Sequence, residues 1–135
     1  VIYQELERLG YAERSDGDWQ ISSEYRLNSK GEERFRVGSV DAFQGKEFDV
    51  VILSVVRTWN SNLEITTDNL NNHLGFLRLP NRINVAMSRQ KKLLIVIGDK
   101  DLRKVEGQNP VDNMPWLPGF PAFFKLCEGA HGKIF

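Results

Sequence analysis

The sequence is poor in the residues that build disulfides and metal sites. It has one cysteine, Cys127, and two histidines, His73 and His131, among 135 residues. A single cysteine cannot form an internal disulfide, so a reducing compartment is the simpler expectation. Because the histidines are far apart in sequence and only one thiol is present, no spacing resembles a zinc site. We therefore predict no metal held by protein ligands alone.

Long apolar runs are also absent. No stretch approaches the roughly 20 residues of a membrane-spanning helix. The N-terminus lacks the charged-then-apolar order of a signal peptide. We therefore predict a protein that has no membrane partner and lies inside the cell, in the cytoplasm or the nucleus.

Net charge of one sign is missing as well, since 18 Lys and Arg residues balance 18 Asp and Glu residues. Overall charge therefore predicts no polyanionic partner, and attraction to phosphates has to come from local clustering. Between Phe76 and Lys104, eight basic residues stand against two acidic ones, Asp99 and Asp101. The basic residues are Arg78, Arg82, Arg89, Lys91, Lys92, Lys100, Arg103 and Lys104. Such a cluster fits either a phosphate-contacting surface or an ordinary solvated face.

What is present predicts a compact α/β domain. With 135 residues, 41% of them hydrophobic, the chain is long enough for a core of its own. Two nearly continuous apolar runs, Val50 to Val56 and Leu93 to Ile97, are typical of strands buried on both faces. Between them, Pro80 suits the first position of a helix that continues from Asn81 to Gln90. Two buried strands separated by a helix predict a parallel sheet covered by helices.

Periodicity and turn residues predict the other elements. Val1 to Leu9 carries apolar residues at helical spacing before Gly10, so we expect a helix there. Residues Ala12 to Arg36 are polar with two glycine turns, which predicts loops and a short hairpin. A short strand is expected from Val37 to Val40. Trp59 to Leu74 lacks clear periodicity and is predicted to be an exposed loop.

A polar loop with one glycine precedes the first apolar run. It reads Asp41-Ala42-Phe43-Gln44-Gly45-Lys46-Glu47-Phe48-Asp49. Glycine lets backbone N–H groups approach a phosphate closely, and a neighbouring Gln or Glu can hydrogen-bond sugar hydroxyls or a water. Taken alone, such a loop is more often an ordinary turn.

The predicted helix from Asn81 carries two arginines, Arg82 and Arg89. They are seven residues apart and would therefore share a helix face. Arginine makes fork-like contacts with phosphate oxygens and stays protonated in a protein. Either a phosphate site or pairing with surface carboxylates would explain them.

These two segments occur in order, each beside an apolar run, and together they resemble a known family. Residues 39 to 58, with the core Phe43-Gln44-Gly45-Lys46-Glu47, are similar to motif V of the superfamily 1 helicases. Gly75 to Leu77 and Asn81 to Lys91 are similar to motif VI. Within that superfamily the resemblance is to the group that contains the nonsense-mediated-decay helicase. It implies a RecA-like P-loop NTPase fold, a three-layer sandwich with a mainly parallel sheet and helices on both faces. Residues 1–135 would form a single domain, the second motor domain of a longer protein.

The resemblance also implies roles for individual residues. Arg89 corresponds to the arginine finger, which would neutralise charge on the γ-phosphate during ATP hydrolysis. Positions expected at the nucleotide are Gln44, Gly45, Glu47 and Arg82. For Arg82, ligand contact and bracing of the site both stay open. Positions expected to contact nucleic acid or to couple it to the nucleotide are Ser39, Asp41, Arg57 and Thr58.

The sequence departs from the family around the motif VI helix. Leu79 stands where an acid is frequent, and Asn81 where a second arginine is frequent. An ion pair that braces the helix would then be missing. Gln90 replaces a small residue.

One motif of the resembled family is absent. The chain has no Gly-x-x-x-x-Gly-Lys-Ser/Thr phosphate loop and no separate Asp-Glu pair for Mg²⁺. In the family those parts belong to the first RecA-like domain, so ATP and Mg²⁺ would be bound mainly there. We therefore expect a half-site, active only within a full-length ATP-dependent helicase that moves on single-stranded DNA or RNA. The alternative is a non-catalytic RecA-like module that binds nucleic acid or a protein.

Overall fold

The computed structural model describes residues 2–59, 66–105, 107, 113 and 115–135. The helices in these ranges are α1 Ile2–Arg8, α2 Ser23–Arg26, α3 Thr67–Leu74, α4 Pro80–Met87 and α5 Phe120–Glu128. The strands are β1 Ala12–Ser15, β2 Asp18–Ile21, β3 Phe48–Ser54 and β4 Gln90–Ile97. Short 3₁₀ helices span Val40–Phe43, Gly75–Arg78 and Lys100–Lys104. The chain divides into two compact units, Val1–Ala42 and Phe43–Phe135. A single RecA-like domain over residues 1–135 stays a prediction.

The first unit contains a helix followed by a hairpin, as the sequence predicts. Helix α1 begins at Ile2, and Val1 lies outside the described residues. β1 and β2 pair antiparallel around a turn whose central residues, Asp16 and Gly17, have φ of 53° and 89°. Positive φ at both positions matches the turn types that fit the twist of a two-residue hairpin, which Asp-Gly favours.

The short strand predicted from Val37 to Val40 is wrong. Residues 34–39 form no regular element, and a 3₁₀ helix spans Val40–Phe43. The carbonyl oxygen of Val37 instead accepts a hydrogen bond from the Tyr3 hydroxyl at 3.0 Å. Two valines in a four-residue stretch carry too little periodicity to distinguish a strand from an irregular segment.

The second unit is built on two parallel strands. β3 and β4 pair with Val51 opposite Leu94 and Leu53 opposite Val96. Parallel strands need a crossover connection, and α3 and α4 lie in the chain between them. The predicted α/β class with parallel strands is confirmed.

The prediction that these strands are buried on both faces is wrong. One face carries Val51 and Leu53, which are 9% and 8% exposed. The other face carries apolar side chains that are 39–63% exposed, namely Val50, Ile52, Leu93, Ile95 and Ile97. A continuous apolar run does not reveal which faces are covered, because cover comes from other elements.

The exposed loop predicted from Trp59 to Leu74 is wrong where the structure describes it. Helix α3 occupies Thr67–Leu74, while residues 60–65 lie outside the described residues. Leu70, Leu74 and Leu77 are fully buried. Their spacing of four and then three residues is helical, but the Asn and Asp residues around them hide it.

Helix α4 begins at Pro80, as predicted, and ends earlier than predicted. Its last residue is Met87, with Ser88 as the C-cap, and Gln90 already opens β4. Arg89 therefore lies beyond the helix, and the prediction that it shares a helix face with Arg82 is wrong. In the described ranges, none of the helices has the length and apolar character that crossing a membrane requires.

Candidate functional site

The amino-terminal ends of β3 and β4 lie side by side. Because the strands are parallel, Phe48 pairs with Gln90, and the Phe48 N–H donates to the carbonyl oxygen of Arg89 at 2.9 Å. Residues Gln44 to Glu47 lead into β3 at this edge, and Arg89 leads into β4 beside them. The fold thus brings together, at one edge, the polar loop and the arginine that the sequence singled out separately.

The loop that leads into β3 is an exposed turn. Gly45 has φ of 73°, and nothing lies within 4 Å of the place a Cβ would take. The Lys46 N–H donates to the carbonyl oxygen of Phe43 at 3.1 Å, which closes the turn. Gln44, Gly45 and Glu47 are all exposed. A group the size of a phosphate can therefore reach the backbone at Gly45.

Arg89 is half-buried at the same edge. Its Nη2 donates to the Ser88 hydroxyl at 2.7 Å, and its Nε is buried without an acceptor among the described residues. Within those residues no carboxylate pairs with it. A guanidinium has several N–H donors in a fixed fork, so most of its hydrogen-bonding capacity is unused.

Gln90 places a second unsatisfied polar atom at this edge. Its Nε2 donates to the carbonyl oxygen of Met87 at 3.0 Å, tying the end of α4 to the start of β4. Its Oε1 is buried and has no partner in the described part of the chain. Buried unpaired polar atoms are uncommon, so two at consecutive residues mark this edge as a candidate site. The sequence indicated only that Gln90 replaces a small residue of the resembled family. Hydrophobic periodicity cannot predict an unpaired polar atom.

Several side chains of the basic cluster between Phe76 and Lys104 already have partners among the described residues. Arg82 is exposed on α4. Several other basic side chains of the segment have local partners. These pairs are Arg78 with the Trp116 ring at 4.8 Å, Lys92 with Asp49 at 2.7 Å, Lys104 with Asp101 at 2.8 Å and Arg103 with Glu128 at 3.7 Å. At least three of the eight positive charges counted in the sequence, those of Lys92, Arg103 and Lys104, are thus paired with carboxylates.

Arg57 and Thr58 lie at the opposite, carboxyl-terminal edge of the strands. They follow β3, which has seven residues, and at about 3.3 Å per residue such a strand is roughly 20 Å long. The structure therefore does not bring them to Arg89. The Arg57 guanidinium packs against Gly75, where a Cβ would lie 2.9 Å from Nη2.

Asp99 joins two segments at this carboxyl-terminal edge. Its Oδ2 accepts from the Trp59 N–H and its Oδ1 from the Asp101 N–H, each at 2.9 Å. These two backbone hydrogen bonds, Asp101 first and then Trp59, hold the pKa of the Asp99 carboxyl below its usual range. Asp99 was not among the functional residues predicted from the sequence. A signal was available, because an aspartate that directly follows a strand and Gly98 is typical of a helix N-cap.

Acid is expected to weaken the structure through Asp99. Because its folded-state pKa is lowered, its contribution is fully present above the unfolded-state pKa of about 3.9 and is lost as the pH falls through the folded-state value. Below about pH 4 the urea midpoint of the wild type should therefore fall more steeply than that of Asp99→Asn. Asp101→Asn, which keeps both Asp99 hydrogen bonds, should follow the wild type. Parallel curves for Asp99→Asn and the wild type would contradict the prediction.

Ser39 and Asp41 lie in the first unit. The Ser39 carbonyl oxygen accepts from the Ala42 N–H at 3.0 Å, and the Arg36 guanidinium donates to the Ala42 carbonyl oxygen at 2.8 Å. Both candidate side chains are exposed at the start of the 3₁₀ helix. Across the described ranges, no group of three or more His, Cys, Asp or Glu side chains is arranged to hold a metal ion.

Comparison with known proteins gives a family for this chain. Residues 17–101, which are 85 of the 135, match the family described as AAA domain. A Gallus gallus protein named as the helicase MOV-10 is 44% identical over 66 residues, which are 49% of this chain and 6% of that protein. The Regulator of nonsense transcripts 1 homolog of Neurospora crassa is 46% identical over 63 residues, 47% of this chain and 5% of that protein.

A third relative is named as a DNA helicase. The DNA polymerase alpha-associated DNA helicase A of Saccharomyces cerevisiae is 43% identical over 63 residues, 47% of this chain and 8% of that protein. The aligned part of the chain thus spans only 5–8% of the length of these three relatives. No solved structure matches the chain. With more than half of its residues matched and a parallel strand pair flanked by helices, the chain belongs to the AAA domain family, has a RecA-like α/β fold and is similar over part of its length to proteins named as helicases.

Proposed function

We propose that this chain is the second RecA-like motor domain of an ATP-dependent nucleic-acid helicase and that Arg89 is its arginine finger. One observation carries the proposal. The Arg89 guanidinium lies at the edge that also holds the glycine loop, with a single hydrogen bond, to Ser88, and no carboxylate partner among the described residues. A permanently charged fork with unused donors suits the oxygens of a phosphate group.

The loop beside Arg89 supports a nucleotide at the same edge. Gly45 leaves its backbone open to close approach, and Gln44 and Glu47 are exposed on either side of it. We assign Gly45 to phosphate contact and the two side chains to hydrogen bonds with sugar hydroxyls or a water. Arg82 stays a nucleotide-facing candidate, exposed on α4.

ATP and Mg²⁺ would be held mainly outside this chain. The sequence has no phosphate loop, and the described carboxylates form no cluster that suits a metal ion, so these residues do not fit Mg²⁺. The guanidinium of Arg89 does fit a phosphate. The nucleotide supplies the phosphoanhydride bond, and the chain supplies positive charge where negative charge develops during its cleavage. The partner for this half-site is the first RecA-like domain of the same protein.

Arg57 and Thr58 would act on the nucleic-acid side, with Ser39 and Asp41 as further candidates from the first unit. β3 connects the two edges directly, since Glu47 precedes it and Arg57 follows it by three residues. Rigid secondary elements can carry energetic coupling between sites, and we assign that role to β3. Single-stranded DNA or RNA would be held mostly by its backbone, with strong salt dependence.

The exposed apolar face of the parallel strands supports a place in a longer protein. Ile52 and Ile97 on this face are 63% and 59% exposed. Contiguous exposed apolar surface usually marks an interface. We propose that further secondary structure of the full-length protein covers this face.

A non-catalytic RecA-like module remains the second candidate, and one observation favours it. Leu79, at the N-cap of α4, has an apolar side chain that cannot accept a hydrogen bond from the helix N-terminus, and it is about half exposed. The helix that leads to Arg89 is therefore not braced at its start by an acid. ATP hydrolysis by the full-length protein, measured with and without single-stranded RNA or DNA, distinguishes the two. Absence of stimulated hydrolysis would overturn the motor proposal.

Gly75→Ala is expected to displace the Arg57 guanidinium. The new Cβ would lie 2.9 Å from Arg57 Nη2, and φ of 51° adds strain of roughly 1–2 kcal/mol. If Arg57 contacts a phosphate, the slope of log K against log salt for a single strand should decrease in magnitude by roughly 0.7.

Gly10→Ala is the matched control for that variant. Gly10 has φ of 81° and nothing within 4 Å of its Cβ position, so the change adds backbone strain without moving Arg57. Fluorescence anisotropy with a labelled single strand at several salt concentrations measures both slopes. Equal slopes for the two variants would contradict the nucleic-acid role of Arg57.

A further inference from the structure

The carboxyl-terminal edge of the parallel strands holds a short segment that is attached at both ends. At one end, the Val55 N–H donates to the Ile97 carbonyl oxygen at 2.8 Å. Gly98 packs so tightly there that a Cβ would lie 2.9 Å from the Cβ of Val55. At the other end, the Trp59 N–H donates to the Asp99 carboxylate at 2.9 Å. Both ends of the segment are therefore fixed to residues 97–99.

Burial alternates between these attachments. Val55 and Trp59 are buried, whereas Val56 and Thr58 are exposed. Arg57 is half-buried, with its guanidinium against Gly75. The backbone hydrogen bonds between the parallel strands end at Val55, so the direction of residues 56–58 depends on how Trp59 is held.

Trp59 is held from two sides. Its backbone N–H binds Asp99, and its indole ring meets the His73 ring edge to face, with centroids 6.4 Å apart. His73 belongs to α3, which is anchored by the fully buried Leu70 and Leu74. The Trp59 backbone amide is thus the point where the segment is joined to Asp99, two residues beyond the end of β4.

The Asp99 carboxylate is suited to this task. Its two oxygens bind different segments, Trp59 on one side and Asp101, in the 3₁₀ helix Lys100–Lys104, on the other. Hydrogen bonds to a charged acceptor are about twice as strong as neutral ones. The lowered pKa of Asp99 keeps that acceptor charged at neutral pH.

We propose that Asp99 is a positioning residue that sets the direction of Arg57 and Thr58 toward single-stranded nucleic acid. This inference rests on the proposed function, because Asp99 would fix the direction of the side chains that bind nucleic acid in that motor. Asp99 touches neither nucleotide nor nucleic acid in this role. It acts through the Trp59 backbone, and so its loss should impair the response to nucleic acid more than hydrolysis itself.

The test uses the full-length protein with poly(U) RNA and, separately, oligo(dT) DNA. Steady-state ATP hydrolysis is measured without and with saturating strand for the wild type, Asp99→Ala, Asp99→Asn and Asp101→Asn. In Asp99→Ala the ratio of stimulated to basal rate should fall roughly tenfold, the range of a typical coupling between sites. Asp99→Asn keeps one oxygen acceptor and should give an intermediate ratio. This variant therefore tests the inference even if Asp99→Ala fails to fold. Asp101→Asn weakens a partly exposed ion pair with Lys104 and keeps the Asp99 bonds, so its ratio should stay unchanged.

Each outcome has a defined meaning. A fall in the ratio for both Asp99 variants, with Asp101→Asn unchanged, supports the inference. If the basal and stimulated rates of the Asp99 variants fall equally, the role of Asp99 is purely structural and the inference is overturned. The inference is also overturned if both variants keep the wild-type ratio of stimulated to basal rate. Wild-type protein that shows no stimulation by either strand overturns the proposed function itself, and with it the role of Asp99.

Discussion

Replacing Arg89 with alanine in the full-length protein is expected to lower nucleic-acid-stimulated ATP hydrolysis about a thousandfold, the effect of removing an arginine finger. The physical reason is local. Among the described residues the Arg89 guanidinium donates one hydrogen bond and pairs with no carboxylate, so its charge is available to the transferred phosphoryl group. The effect should appear in kcat, with a smaller change in KM, because the interaction is made mainly in the transition state.

Two further variants make the Arg89 result specific. Arg103→Ala removes an exposed arginine of the same basic cluster, one that pairs with Glu128 at 3.7 Å, and should stay within about twofold of the wild-type rate because such pairs contribute little. Arg89→Lys keeps the charge but loses the planar fork, so most of the activity should still be lost. Hydrolysis by Arg89→Ala within about tenfold of wild type would contradict the arginine-finger assignment.

The same measurement separates the motor from the non-catalytic module. In a motor, Arg89→Ala keeps nucleic-acid binding largely intact while hydrolysis is lost, since Arg89 and Arg57 lie at opposite edges of the strands. In a module without motor function, the wild type itself shows no stimulated hydrolysis, and Arg89→Ala alters binding alone. Steady-state kinetics and strand affinity, measured on the same preparations, distinguish the two.

Several features of the fold could be predicted because they depend on local sequence. Two apolar runs indicated parallel strands, and once the strands are parallel, the residues before each one must meet at one edge. That geometry places Glu47 beside Arg89 and places Arg57 at the far edge. The cover on each face could not be predicted, because it depends on which elements pack against Ile52 and Ile97 rather than on the strands themselves.

The site was predicted less completely than the fold. A continuous helix to Gln90 would have put Arg82 and Arg89 on one face, but α4 ends at Met87 and the Gln90 amide binds the Met87 carbonyl oxygen. Side-chain hydrogen bonds of this kind have no periodicity and therefore leave no pattern in a single sequence. Asp99 differs, because its place after Gly98 is typical of an N-cap and predicts the bond to Asp101, whereas the bond to the distant Trp59 backbone amide leaves no pattern.

Leu74→Ala is expected to destabilise the second unit by about 2–5 kcal/mol, the usual cost of truncating a buried leucine. The sequence pattern placed Leu74 at the end of an exposed loop, where the same change would cost almost nothing. The structure instead places Leu74 in α3 and buries it completely, as it does Leu70 in the same helix and Leu77 in the 3₁₀ helix that follows. Its removal leaves a cavity beneath the helix that contacts Trp59 through His73.

Leu79→Ala provides the matched control, because it makes the same chemical change at a position that is 47% exposed, just after the same buried cluster. It should cost less than about 1 kcal/mol, as surface substitutions usually do. Urea unfolding monitored by tryptophan fluorescence compares the two midpoints directly. If both variants unfolded at the wild-type midpoint, α3 would not be part of the core, and the attachment of Trp59 that positions Arg57 would lose its support. A large shift for Leu74→Ala alone would instead show that α3 belongs to the core on which the geometry of the carboxyl-terminal edge depends.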